Sequence, residues 1–255
     1  VAEITEFIKL AGEKLRQSRF TTAFTGAGIS VESGIPTFRG EHGIWSKYDP
    51  QVLDINYFKY NPKESWLVIR EIFYDFFGKA KPNAAHITLA RMEQEALLGR
   101  TITQNIDNLH QEAGSRMVFE FHGNSKTLVC IACRRNYRAD KEILSLLPPT
   151  CQECGGLLKP DFIFFGEGIP QTALAASYEA SQISDILLVI GTAGEVVPAN
   201  QVPFMAKNNG VYIIEINTQP SFYTNQITDL FIMGKAAEVM AKLSEYLFPA
   251  ALDND

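Results

Sequence analysis

Four cysteines stand as Cys130-x-x-Cys133 and Cys151-x-x-Cys154, the pairs separated by 17 residues. Two such turns each offer two sulfurs to one tetrahedral ion, the frame of a four-thiolate Zn2+ site. Two disulfides are the competing reading, but they belong with secreted chains. The opening VAEITEFIKLAGEKL reads as an amphipathic helix without the layout of a signal peptide. One structural Zn2+ and a cytoplasmic protein are therefore expected.

Three further motifs are polar and compact. Thr25-Gly26-Ala27-Gly28 is a shortened glycine turn, where backbone can approach a pyrophosphate and a following helix start favours its charge. A merely structural tight turn is the alternative, because the full dinucleotide fingerprint is incomplete. The extension from Ser30 to Gly40 sets Phe38 beside Arg39 in a glycine-bounded loop, and such a loop can fold over a phosphate. Gln104-Asn105-Ile106-Asp107 is the second motif and Phe121-His122-Gly123 the third. An imidazole titrates near neutrality and can exchange a proton, so His122 could act as a base. Taken alone, a single His before Gly is more often structural. His42, His86 and His110 carry no comparable case, and His110 reads as packing or capping after the turn.

The elements that must position these groups follow from hydrophobic rhythm. Short apolar runs at 20–25, 100–104, 118–121, 162–165, 186–190 and 211–217 read as strands, the run ILLVI as a buried parallel one. Helical patterns fall between them, at 84–95, 172–184, 199–208 and 236–247, with a loop between 217 and 236. Residues 41–95 look mostly helical, with Trp66, Ile69, Phe73 and Phe76 in one stripe that Ile72 and Phe77 widen. This alternation predicts an α/β fold: a Rossmann-like doubly wound parallel sheet (1–40, 96–123 and 161–255) with a helical insertion (41–95) and a small zinc-ribbon module (124–160). The module is poor in apolar residues and is expected to depend on its metal. Such sheets bind ligands beyond the carboxyl ends of their strands. The polar motifs fall at those ends, after Thr25, Thr103, Phe121, Ile190 and Ile216, so one composite site is expected.

GAGISVESGIPTFRG, TQNIDNLH, FHG, two CxxC pairs, FGE, GT with a later PA, EIN and GKA occur in that order. Over about residues 20–240 the chain resembles the sirtuins of prokaryotic type, NAD-dependent protein-lysine deacylases. The resemblance implies that NAD and an acylated-lysine peptide share a cleft between the Rossmann-type domain and the smaller parts. By motif, Gly26, Ala27 and Gly28 would line the pyrophosphate, and Phe38 and Arg39 would belong to a mobile cofactor loop. Gln104 would meet the nicotinamide-side ribose, and Ser30, Asn105, Ile106 and Asp107 would form the nicotinamide pocket. Gly191, Thr192, Asn217, Lys235 and Ala236 would hold the adenosine half. Phe165, Gly166 and Glu167 on one side, and Gly194, Glu195, Val196 and Val197 on the other, would flank the peptide as an added strand. Catalysis would fall to His122, with Asn105 and Asp107. The acyl oxygen would attack the ribose carbon as nicotinamide leaves, a ribose hydroxyl deprotonated by His122 would then attack the resulting imidate, and water would complete the reaction to give free lysine, nicotinamide and O-acyl-ADP-ribose. The chain departs from the family at Ala193 and Gly194, where many members have Ser and Leu. That departure is expected to cost one cofactor contact and to loosen the wall beside the acyl-lysine.

Two other functions fit parts of this pattern: a protein mono-ADP-ribosyltransferase using the same NAD site, and a non-enzymatic NAD-sensing scaffold. A base at His122 favours deacylation over the first, and the complete set Asn105, Asp107 and His122 argues against the second. A dehydrogenase is disfavoured, because no acidic residue follows the glycine turn at the expected ribose position. A net charge of −6 turns the expectation away from nucleic acid as a direct ligand. No apolar run is long enough to cross a bilayer.

Overall fold

A computed structural model describes residues 2–40, 43–76 and 79–249, so His42 and Phe77 lie outside the described residues. Among the described residues, nine strands form two sheets. They are β1 (Thr21–Thr25), β2 (Arg100–Thr103), β3 (Val118–Glu120), β4 (Gly123–Cys130), β5 (Asn136–Arg138), β6 (Leu158–Phe162), β7 (Ile186–Ile190), β8 (Tyr212–Asn217) and β9 (Leu230–Met233). The helices are α1 (Ala2–Gln17), α2 (Ile55–Tyr60), α3 (Pro62–Ile69), α4 (Ala84–Gln94), α5 (Leu109–Glu112), α6 (Gln171–Ile183), α7 (Gln201–Asn208) and α8 (Ala236–Leu247).

The larger sheet is parallel throughout, in the order β3-β2-β1-β7-β8-β9. Every residue of β1, β2 and β7 is buried, as strands covered on both faces require. Successive side chains of β7 serve opposite cores. Ile186, Leu188 and Ile190 pack with α1, α4 and α8, while Leu187 and Val189 pack with α6 and α7. The chain winds outward from β1 in both directions, so the crevice between the ends of β1 and β7 is the switch point at which such sheets bind ligands.

The antiparallel sheet β5-β4-β6 carries the cysteines. It shares one apolar cluster with the helical segment, in which Trp66, Ile69 and Phe73 meet Leu128, Leu158 and Phe162. The Trp66 indole donates to the Leu158 carbonyl at 2.9 Å.

Three expectations change. The run at 162–165 is not a strand of the main sheet. The strand lies earlier, as β6, and belongs to the small sheet. Its Lys159 and Pro160 disguise it, yet Lys159 is buried with its charge met by Glu167 at 2.9 Å. The stretch between β8 and α8 holds an edge strand, β9, rather than loop alone. The insertion is less regular than a set of α-helices. It includes 3-10 turns at Ile44–Ser46 and Pro50–Leu53, and α3 passes into a π-helical stretch, Arg70–Phe76. The wider π winding turns Ile69, Ile72 and Phe73 into the core together.

Candidate functional site

A cleft of about 1440 Å3 opens beyond the carboxyl ends of the parallel strands. It is built first by two turns that nearly touch. Gly26 N donates to Ile190 O at 3.0 Å and Gly28 N to Gly191 O at 2.8 Å. A Cβ on Gly28 would lie 2.7 Å from Gly191 Cα, and one on Gly26 would lie 2.7 Å from Thr192 Cβ. The glycines are therefore required by backbone against backbone at the switch point. Any side chain at either position would push the two turns apart, and both glycines line the cleft.

Beside them β2 ends in Gln104 and Asn105. Gln104 Nε2 donates to Thr192 Oγ1 at 3.1 Å, and Asn217 Nδ2 donates to Thr192 O at 3.0 Å, so Thr192 ties the ends of β2, β7 and β8 together. Asn105 Nδ2 donates to Gly26 O at 3.2 Å and to Ser30 Oγ at 3.3 Å. Ser30 in turn donates to Asp107 Oδ2 at 2.7 Å, and Asp107 Oδ1 accepts from Leu109 N at 3.0 Å. Burial raises the Asp107 carboxyl above its usual range, against the lowering effect of those hydrogen bonds.

His122 follows β3 and lines the cleft. Its Nδ1 lies 3.0 Å from the Gln104 carbonyl, which can only accept, so the proton belongs on Nδ1 and Nε2 keeps its lone pair. Burial lowers the imidazole below its ordinary value, offset in part by that carbonyl. The ring is therefore neutral and basic at neutral pH.

The sequence-expected residues Gly26, Ala27, Gly28, Phe38, Arg39, Gln104, Asn105, Ile106 and His122 all line this cleft, as do Phe165–Glu167, Gly191, Thr192, Gly194–Val197, Asn217, Lys235 and Ala236. Ser30 and Asp107 do not. They stand behind Asn105 and reach the cleft through it. Sequence reasoning passed over Trp45, Phe162, Tyr178 and the run Thr218–Pro220, all of which line the cleft. Thr218–Pro220 directly continue the end of β8, a signal that was present. Trp45 sits on an irregular turn and had none.

Two histidines given no role lie just behind the cleft. His110 is fully buried, with Nε2 2.9 Å from Thr25 Oγ1. His86 lies 3.4 Å from Ser30 Oγ, and the two rings meet edge to face at 5.0 Å. Burial lowers both, His86 to about 4. An unfolded chain takes up these protons near pH 6.5, the folded one only near pH 4 at His86, so the histidine pair loses stability as pH falls through that window. The stability advantage of the wild type over His86→Gln is therefore expected to shrink by roughly 2 kcal/mol between pH 6.5 and 5. Urea unfolding of both proteins across that range checks it, and a constant difference would refute it.

The four cysteine sulfurs lie within 4.8 Å of one another, with Cys130 and Cys154 at 3.5 Å and Cys133 and Cys151 at 3.6 Å. Thiolates about 2.3 Å from a tetrahedral Zn2+ stand about 3.8 Å apart, so the set fits that ion. None of the four lines the cleft.

The Sir2 family profile matches residues 26–198. An NAD-dependent protein deacylase of Pyrobaculum aerophilum is 44% identical over 235 residues, 91% of this chain and 92% of that protein. One of Pyrococcus furiosus is 44% identical over 241 residues, 91% and 94% of the two chains. A solved Sir2 enzyme superposes with a TM-score of 0.86 at 41% identity, covering 95% of this chain and 98% of its own. A Sir2 variant bound to a deacetylated peptide and 3'-O-acetyl-ADP-ribose superposes with a TM-score of 0.88 at 36% identity, covering 93% and 97%. With the strand-end cleft and the four-cysteine cluster on the same polypeptide, these matches show that the chain belongs to the Sir2 family.

Proposed function

We propose that this protein removes acyl groups from protein lysine in an NAD-dependent reaction that yields nicotinamide and O-acyl-ADP-ribose. The observation that carries this reading is His122: a neutral imidazole, its tautomer set by the Gln104 carbonyl, with Nε2 open in the same cleft as the glycine turn. When bound, NAD supplies an N-glycosidic bond whose cleavage frees nicotinamide and makes the ribose carbon electrophilic.

The chain's own residues divide the remaining work. Gly26, Ala27 and Gly28 receive the pyrophosphate against the start of the 3-10 turn Ala27–Ser33. Asn105, buried and fixed by Gly26 O and Ser30, presents its amide to the nicotinamide end, while Asp107 and Ser30 hold it in place. His122 takes a proton from a ribose hydroxyl through Nε2. Phe38 packs on Trp45 and Phe73, with ring centroids at 5.6 and 6.4 Å, and screens the acyl end from water. The peptide adds as a strand between Phe165–Glu167 and Gly194–Val197. Steady release of nicotinamide that requires both NAD and an acetyl-lysine peptide tests the reading. A covalent ADP-ribose adduct on the peptide or on another protein would instead favour ADP-ribosyl transfer.

The acyl group should be neutral. In sirtuins that prefer succinyl or malonyl lysine, a Tyr-x-x-Arg pair on the helix beside the acyl pocket holds the distal carboxylate. Counted back from Pro82-Asn83, Arg70 and Phe73 stand at those positions, and a shift by one residue, to Tyr74 and Phe77, does not restore the pair either. Phe73 lines the cleft and packs on Phe162 at 5.0 Å. Arg70 is instead turned to an exposed pair with Asp75 at 3.4 Å and is not part of the cleft wall. A carboxylate buried there would lack a fixed cation. The kcat/KM on one peptide is expected to be at least about tenfold higher for acetyl than for succinyl lysine, roughly the 1.4 kcal/mol of one unpaired polar contact. A preference for succinyl would overturn this and point to Arg70.

A further inference from the structure

Glu215, near the carboxyl end of β8, is fully buried. Its carboxylate accepts from Thr224 Oγ1 at 2.9 and 3.1 Å and from Thr228 Oγ1 at 2.6 Å. No cation among the described residues pairs with it. A carboxylate met only by hydroxyls is a costly way to fill a core, so its value lies in what it holds. That is the turn 221–228, which is fastened again by Thr224 accepting from Ser221 N at 2.8 Å.

The turn meets the cleft wall at Ala193 and Gly194. Phe222 N donates to Ala193 O at 3.0 Å. Gly194 has φ +76°, and a Cβ there would lie 2.9 Å from the ring of Tyr223, which is fully buried and reaches Asn200 O with its hydroxyl at 3.4 Å. The space expected to be loose beside Gly194 is therefore taken by Tyr223. The segment leading into the turn, Asn217–Pro220, lines the cleft beyond β8.

Resting on the reading that Gly194–Val197 flank the acyl-peptide, we propose that Glu215 and Tyr223 are positioning residues for substrate binding. The buried carboxylate sets the 221–228 turn, and Tyr223 stands in for the side chain absent at Gly194 to fix the course of the peptide-flanking segment. The same anchor orients Asn217–Pro220 on the cofactor side, so one carboxylate governs the placement of both binding walls.

Kinetics with each substrate varied in turn tests this. Tyr223→Ala is expected to raise the peptide KM on the order of tenfold, with kcat and the KM for NAD moving by less than about threefold. Glu215→Ala should raise both KM values, and Glu215→Gln, which keeps an acceptor for Thr228, should recover most of the loss. A lower kcat with both KM values unchanged would mean a role in folding alone and would overturn the proposal. Should either alanine variant fail to fold, a cycle of Gly194→Ala with Tyr223→Leu decides. The strain of a positive φ remains in the double variant, but the clash with the ring goes, so the combined rise in peptide KM should fall short of additive. Additive effects would overturn the proposal. A wild-type chain without NAD-dependent deacylation would sink the underlying reading instead, whereas an active wild type with no Gly194–Tyr223 coupling sinks this inference alone.

Discussion

His122→Ala is expected to keep NAD binding and lose deacylation by about a thousandfold or more, within the range that a positioned base supplies together with the orientation it enforces. The size of the effect follows from the tautomer. The Gln104 carbonyl holds Nδ1–H, so Nε2 is the basic atom, and the ring lines the cleft beside Gln104 and Asn105. His86 and His110 cannot replace it, since both are enclosed behind Ser30 and Thr25. Because burial lowers the His122 imidazole below 6.5, the base stays unprotonated through neutral pH. The acid limb of kcat/KM should therefore break below pH 6.5, with activity falling as pH drops through the lowered value. Single-turnover rates of the variant, paired with NAD binding by calorimetry, check the claim. Near-normal turnover by folded His122→Ala would remove the assigned role.

The second large effect concerns the cysteine module. Removing Zn2+ with a chelator, or replacing Cys130 by Ala, is expected to unfold β4 to β6 and destabilise the chain by several kcal/mol, since metal binding in such modules supplies much of their folding energy. Cys130 is fully buried within the cluster that holds Trp66, Leu128 and Leu158. Gly156 packs so closely on Cys130 and Cys154 that a Cβ would lie 3.0 and 3.2 Å from their sulfurs. The damage should reach the cleft without any metal chemistry there. β6 carries Lys159, whose Nζ binds the carbonyls of Pro160 and Phe162 and pairs with Glu167, and Glu167 also accepts from Phe164 N at 2.8 Å. Loss of β6 would release Phe164–Glu167, one flank of the proposed peptide strand. Metal content, thermal unfolding and peptide KM should therefore change together. A metal-free Cys130→Ala protein with unchanged stability and activity would contradict this.

Much of this site was legible because its motifs sit where hydrophobic runs end. ILLVI and YIIEIN announce buried parallel strands, and the polar residues that follow them must then converge at one edge of the sheet. What the chain could not disclose depends on partners distant in sequence. Lys159 reads as a loop residue until Glu167 is seen to meet its charge, so the apolar pattern alone puts the strand at 162–165 instead of at β6. The four residues of β9 form an edge strand after a proline-bearing loop, too short to carry a period. The π winding at Arg70–Phe76 buries a stripe that an α-helix would bury nearly as well. Ser30 and Asp107 read as pocket walls beside Asn105, yet the hydrogen bond between them lies behind Asn105. Gly194 reads as opening a gap because nothing near it in sequence fills the space, which Tyr223, 29 residues on, takes.

The account rests most directly on where the acyl group goes. Wild-type protein incubated with NAD and an acetyl-lysine peptide, followed by mass spectrometry, should yield nicotinamide, deacetylated peptide and O-acetyl-ADP-ribose in equal amounts. Nicotinamide release with the peptide still acetylated and ADP-ribose attached to protein, or no NAD-dependent product at all, would contradict it.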